Sequence, residues 1–138
     1  MSDGSELPSL GDMVATMPHA VALGMELAEA STEGGTATMA WREDLCTIGA
    51  AGHGGALMAF ADSLGAIVAF LNLPEGAGTS TIESKTNFFR PFVGGTATAT
   101  CRTVNAGRTT ITVQTEVRND DGKLLTMTTQ TQAVLLPR

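Results

Sequence analysis

His53, Gly54 and Gly55 stand at the head of a long apolar run, and Asp62, nine positions after the histidine, is the only ionisable residue inside it. Two glycines at a helix N-terminus leave backbone N–H groups uncovered by side chains, beside the positive end of the helix dipole. An oxygen with developing negative charge can approach them, so the pair has the form of an oxyanion hole. The same glycines could instead serve only a tight turn. Asp62 is harder to explain by packing, because an isolated carboxylate on an apolar helix costs free energy unless it is hydrogen-bonded, paired or facing a polar pocket. Such a group can activate water as a general base or attack a carbonyl directly.

Spacing constrains how these groups cooperate. At ~1.5 Å rise per residue, Gly54 or Gly55 and Asp62 are separated by roughly 10–12 Å along the helix axis. A reacting carbonyl must lie within about 3–3.5 Å of the attacking oxygen while its own oxygen meets the N–H donors. One chain cannot readily do both. The expectation is that the donor of one subunit faces the Asp62 of a second copy, with two equivalent sites across a two-fold interface.

The run that carries these residues, Gly54 to Leu73, has apolar and small residues on every side of a helical wheel. Asp62 near its middle and the lack of basic or aromatic flanks argue against a membrane span, so the helix must be enclosed by other structure. The rest of the chain supplies mainly strands. Leu23 to Trp41 alternates around Glu33-Gly34-Gly35 as a hairpin, and Thr79 to Phe92, Thr96 to Asn105, Arg108 to Arg118 and Lys123 to Leu136 are rich in Thr, Val, Ile and Phe. Asn105-Ala106-Gly107 and Asn119 to Gly122 supply turns, and Thr47 to Gly52 a loop of small residues. A short helix from Asp12 to Met17 is expected to end at Pro18, which divides residues 1–17, an N-terminal segment, from a single domain over 18–138. The class is α+β, an antiparallel sheet curled around one central helix.

With 138 residues the chain fits one domain. The net charge of -6 disfavours nucleic acid or an anionic membrane as partner. The charge is uneven: residues 1–75 hold one basic and ten acidic residues, residues 76–138 seven basic and four acidic, so an anion would bind to the second half. Cys46 and Cys101 share no metal-ligand spacing and read as reduced thiols. With only His19 and His53 as histidines, no metal site is expected. Met1 to Leu10 is acidic and lacks the basic and apolar parts of a secretory signal, so a cytoplasmic location is expected.

Together these residues resemble the hotdog-fold acyl-CoA thioesterases of the phenylacetate-degradation (PaaI-like) type. The resemblance runs from about Pro18 to Leu136 and rests on His53-Gly54-Gly55 with Asp62, Thr81-Ile82-Glu83, Asn87 to Pro91, Gly107-Arg108 and Asp121 to Leu124. It implies a hotdog fold and a homodimer with a continuous sheet, commonly paired into a homotetramer. It also implies active sites that join the glycine amides of one subunit to the acid of the other. Asp62 would be nucleophile or general base, Gly54 the oxyanion donor with Gly55 as second candidate, and Thr81, with Ser80 as its neighbour, would help place water or the carboxylate. Where the family often has Asn or Gln six residues before the histidine, this chain has Thr47, whose hydroxyl reaches less far. His53 is expected to orient the helix entry rather than transfer protons.

By the same resemblance Phe88, Arg90, Pro91, Asn105, Gly107 and Arg108 would border CoA, with Arg90 and Arg108 on its phosphates. CoA belongs to the substrate, and no further cofactor is expected. Met58, Phe60 and Leu64 are candidates to line the acyl pocket, for an aromatic or medium-length chain. Two other classes stay open on these residues: a hotdog enoyl-CoA hydratase or dehydratase, and a non-catalytic acyl-CoA-binding module.

Overall fold

The computed structural model describes residues 8–138; residues 1–7 of the expected N-terminal segment lie outside the described residues. Along the chain come α1 (Leu10–Ala15), α2 (Pro18–Leu23), β1 (Glu26–Ala30), β2 (Gly34–Ala40), α3 (Gly54–Leu71), β3 (Gly78–Phe88), β4 (Thr96–Ala106), β5 (Thr110–Arg118) and β6 (Leu124–Leu135). Two short 3-10 turns, Glu43–Leu45 and Ile48–Ala50, lie between β2 and α3.

Contrary to the expectation that Pro18 ends a helix, it begins one. The chain leaves α1 at Thr16, Met17 is extended, and Pro18 takes the first position of α2, where its missing N–H costs nothing. Gly24, at φ 77, closes α2 in the left-handed region. The N-terminal segment also joins the core, since Met13 and Val14 of α1 are buried in the same cluster as Leu57 and Leu64.

All strand pairs are antiparallel, in the order β1-β2-β4-β5-β6-β3. Alternation decides which face meets the helix. In β5, Ile111, Val113, Thr115 and Val117 are buried while the residues between them are half-buried. On β2 and β4 four inward positions are small (Gly35, Ala37, Ala97, Ala99), beside Met39 and Cys101, and at Gly35 this lets Leu64 of α3 approach closely. A Cβ on Gly35 would stand 2.8 Å from the Glu29 carbonyl oxygen and 3.3 Å from the Leu64 side chain. The β6 face breaks this apolar rule: Thr126, Thr128, Gln130 and Gln132 all point inward and are buried.

α3 is long and apolar enough to cross a membrane, with a mean hydropathy of 1.7, yet it is the helix around which the core is built. Leu57, Phe60, Leu64 and Val68 pack against the sheet. The opposite stripe is less enclosed than the sequence suggests: Gly55 and Phe70 are exposed, and Ala59, Asp62 and Ala66 are half-buried. β3, at the sheet edge, is likewise open, with Ile82 60% exposed.

Cys101 points into the core from β4, and burial pushes its thiol up from the usual range, outweighing a hydrogen bond with Thr115. A raised thiol stays protonated, hence unreactive, at pH 7–8. In native protein a thiol reagent at that pH should modify Cys46, which is only part-buried, and reach Cys101 only after unfolding; the check is a thiol count with and without denaturant.

Candidate active site

The entry to α3 is fixed by the loop that precedes it. Cys46 bridges to Gly52, the Thr47 N–H donates to the Ala51 carbonyl at 2.8 Å, and the Trp41 Nε1 donates to the Ala50 carbonyl at 3.2 Å. Gly49 and Ala50 both have positive φ (80° and 61°), and for Ala50 this is a strained conformation held by the surrounding bonds. His53 then caps the helix. Its N–H donates to the Leu45 carbonyl at 2.8 Å, and its Nδ1 accepts the Gly55 N–H at 2.8 Å.

That cap corrects one expectation. The Gly55 N–H, expected as a second oxyanion donor, is occupied by the imidazole of His53. The Gly54 N–H donates to no described residue, so Gly54 alone offers a free donor at the positive end of the helix. The ring of Phe88, from the end of β3, flanks it: a Cβ on Gly54 would lie 3.3 Å from two ring carbons.

Eight residues along the helix, Asp62 is half-buried and held from the sheet. Gln130 Nε2 donates to its Oδ1 at 2.9 Å, and Thr81 Oγ1 donates to the same oxygen at 3.4 Å. Gln132 Nε2 donates to Thr81 Oγ1 at 2.8 Å, while the Thr79 hydroxyl lies 2.9 Å from the Ala133 carbonyl and 3.2 Å from Gln132 Oε1. The β3 register shifts between Thr81 and Glu83, a bulge that keeps Thr79 and Thr81 on the inner face together with Ser84 and Thr86. The carboxylate therefore faces a wall of hydroxyls and amides rather than hydrocarbon. Thr81 was legible in the sequence; Gln130 and Gln132 were not. Their signal is two glutamines two residues apart on a strand, hence on one face.

Of the other residues expected at the site, Thr47 lies on the loop that leads to Gly54, its side chain exposed and without a hydrogen bond to a described residue. Phe88, at the end of β3 beside Gly54, and Arg90 and Pro91, just past that end, are exposed, with Arg90 Nη1 donating to the Leu124 carbonyl at 3.1 Å where β6 begins. Asn105, Gly107 and Arg108 are also exposed, but at the β4–β5 turn, near Ala133 where β6 ends. About nine residues of strand, roughly 30 Å, separate the two arginines. Within one chain they cannot hold the same phosphate group. An open cleft of about 560 Å³ lies beside Arg108, lined by Asn72, Leu73, Pro74, Ala106 and Leu136.

The expected acyl-pocket residues also need revision. Phe60 and Leu64 face the sheet with no exposed surface, and only Met58 of the three is partly accessible. A different apolar groove, of about 290 Å³, opens one helical turn beyond Asp62, between Met13, Thr16 and Met17 on one side and Ala66, Ile67 and Phe70 on the other, with Pro8 at its rim. Among the described residues no group of three His, Cys, Asp or Glu side chains could hold a metal ion.

With this geometry in place, similarity to known proteins is informative. Residues 49–126 match the model of a family described as the thioesterase superfamily. A Haemophilus influenzae relative named "Putative esterase" is 30% identical over 83 residues, 60% of this chain and 60% of the relative. The matched stretch thus spans less than two thirds of that relative's length. Among solved structures, a Pseudomonas aeruginosa thioesterase, in a form with one Gln replaced by Ala, is 27% identical with a TM-score of 0.86, covering 95% of this chain and 96% of that one. The phenylacetic acid degradation protein PaaI of Thermus thermophilus, in an Asn-to-Asp form, is 28% identical with a TM-score of 0.79, covering 86% and 99%.

The histidine cap gives a direct prediction. His53→Ala should lower stability by about 1 kcal/mol, the usual effect of losing an N-cap acceptor. Denaturant unfolding of the two proteins checks it, and an unchanged midpoint would mean that the imidazole does not hold the Gly55 amide in solution.

Proposed function

The chain belongs to the thioesterase superfamily, and from that premise we propose that it hydrolyses an acyl-CoA thioester, with Asp62 as nucleophile or general base and the Gly54 amide as oxyanion donor. The carrying observation is one unengaged N–H at the start of α3 together with a clamped, half-buried carboxylate on the same helix. As general base, Asp62 takes a proton from water as the water oxygen bonds to the thioester carbon. The oxyanion accepts the Gly54 N–H, the C–S bond breaks, and the CoA thiolate takes up the proton. As nucleophile, Asp62 itself bonds to the carbonyl carbon, thiolate leaves, and water cleaves the resulting anhydride. Neither route needs a cofactor beyond the CoA of the substrate.

Both routes require two chains, because Gly54 and Asp62 lie roughly 12 Å apart along one helix. Gly54 is flanked by Phe88, and Asp62 is bonded to Thr81. For the Gly54 of one subunit to meet the Asp62 of a second copy, Phe88 must stand near the second copy's Thr81. With the bulge after Thr81 counted as one ladder position, that condition sets the two-fold axis of an antiparallel β3 pair near Lys85. The open edge of β3 and the uncovered stripe of α3 support such a homodimer. The same two-fold turns the Arg90 end of one subunit toward the Arg108 end of the other, which would let arginines of different chains share the phosphates of one CoA. Pairing of two dimers into a homotetramer remains part of the proposal.

The groove beside Ala66 and Phe70 supports an aromatic or medium-chain acyl group. Benzene fills a cavity of about 150 Å³, so a groove of about 290 Å³ has room for roughly two such rings or a chain of similar bulk. Methionines at its wall, Met13 and Met17, can adapt to either shape.

A mixing experiment tests the shared site. Asp62→Asn removes the base. Gly54→Pro removes the N–H at the first helical position, where proline is tolerated, and His53 at φ -60 and ψ 132 is compatible with a following proline. Each variant alone should lose at least ~10²-fold in CoA release. Co-expressed in equal amounts, they should recover about a quarter of the wild-type activity, because half the dimers would carry one intact site. Recovery near zero, with mixed dimers demonstrated, would overturn the shared site, and an active Asp62→Asn variant would overturn the catalytic assignment.

A further inference from the structure

We infer that Gln130, with Gln132 acting through Thr81, is a positioning residue that clamps one oxygen of Asp62 and leaves the other, Oδ2, as the oxygen that reacts. The inference rests on the hydrolytic reading of Asp62 and goes beyond it by assigning roles to two buried glutamines and to each carboxylate oxygen.

Hydrogen-bond direction carries the argument. The single proton of the Thr79 hydroxyl is shared between the Ala133 carbonyl at 2.9 Å and Gln132 Oε1 at 3.2 Å, and Gln132 Nε2, on the other side of that amide, donates to Thr81 Oγ1 at 2.8 Å. Since Thr81 accepts there, its own proton is free to point to Asp62 Oδ1, the oxygen that also receives Gln130 Nε2. Two donors, the Thr81 hydroxyl and the Gln130 amide, thus meet on the same carboxylate oxygen. No described residue bonds Oδ2, on a side chain that is only half-buried.

Gln130 is a poor choice for packing alone. It has no exposed surface, and its Oε1 finds no partner, so the amide carries a desolvation cost with a single hydrogen bond in return, the one to Asp62. Room for it is made at a second position. Gly65 lies on the face of α3 opposite Gln130, and any Cβ there would overlap the Gln130 amide oxygen, with the amide carbon only 2.6 Å away. Two positions far apart in sequence, one on the helix and one on β6, are thus both shaped by holding the carboxylate.

The roles separate in kinetics. Gln130→Leu replaces a half-satisfied amide by a side chain of similar bulk, so the melting temperature should stay the same or rise. Its kcat should fall about 10- to 100-fold with KM nearly unchanged, because a loosened carboxylate loses attack geometry rather than substrate binding. Gln132→Leu should give a smaller fall in kcat that disappears in a Thr81→Val background, since it acts only through Thr81. Gly65→Ala, which displaces the amide without removing it, should lower kcat in the wild type and add little in Gln130→Ala, where the new methyl group enters vacated space.

Asp62→Asn serves as the control in the same CoA-release assay. If it remains active, the hydrolytic reading itself fails. If it is inactive while Gln130→Leu keeps wild-type kcat, the clamp alone is overturned. A parallel fall of melting temperature and kcat in Gln130→Leu, with KM rising, would assign Gln130 to folding and also overturn the clamp. Should Gln130→Leu not yield folded protein, the Gln132→Leu and Thr81→Val pair decides on the same criteria.

Discussion

A carboxylate midway along the central helix of a small protein is the constraint around which the rest of this fold is arranged. In hydrocarbon the charge of Asp62 would be costly, and on an outer helix it would need no special treatment. Here it lies on a helix whose other side is the core, with Phe60, Leu64 and Val68 against the sheet. The fold meets the demand locally: β6 turns threonines and glutamines inward where β5, one strand away, turns Ile111, Val113 and Val117. The bulge in β3 keeps Thr81 in reach, and Gly65 makes room for Gln130. The cost of this polar seam is visible in the hydroxyls of Ser84 and Thr126 and the Oε1 of Gln130, buried without partners. A core built for stability alone would avoid buried polar atoms without partners.

The other half of the chemistry obeys a different rule. At the N-terminus of α3 the proposed oxyanion site would need one bare N–H, and the capping rules of helices work against it, since a good cap satisfies these donors. His53 resolves the conflict by taking the Gly55 amide and leaving that of Gly54. The helix is thereby capped and still presents a donor. Phe88 beside Gly54 shields it from one side, which strengthens any charge interaction made there.

How much of this was legible in the sequence follows from the range of each interaction. Gly54, Asp62 and the strand order of apolar and polar residues depend on local patterns, and the antiparallel α+β architecture could be read from them. Pro18 was misread because a proline both ends and begins helices, and only the extended Met17 before it distinguishes the cases. The occupation of the Gly55 amide was hidden because a histidine cap depends on a ring orientation that residue type does not specify. Gln130 and Gln132 were missed because the partner of a buried amide lies 68 residues away in sequence for Gln130 and 51 for Gln132. The charge split between the two halves pointed to Arg90 and Arg108, but composition has no direction. It could not reveal that they occupy opposite ends of the same sheet.

That last separation carries the final step of the synthesis. Three features of a single chain are each incomplete: a donor roughly 12 Å from its acid, two arginines at opposite ends of a strand, and an edge strand with Ile82 exposed. An open hydrophobic edge is a hazard unless it is paired or blunted, and β3 carries no proline within it and only Lys85 as a basic residue. The three deficits share one remedy. The proposed antiparallel two-fold along β3 would pair the edge, bring opposite ends of two helices together, and turn the Arg90 end of one chain toward the Arg108 end of the other. Had Gly54 and Asp62 been one turn apart, or the arginines on one turn, a single chain would have sufficed and the open edge would have no use. The spacing within one chain is thus itself the argument for two.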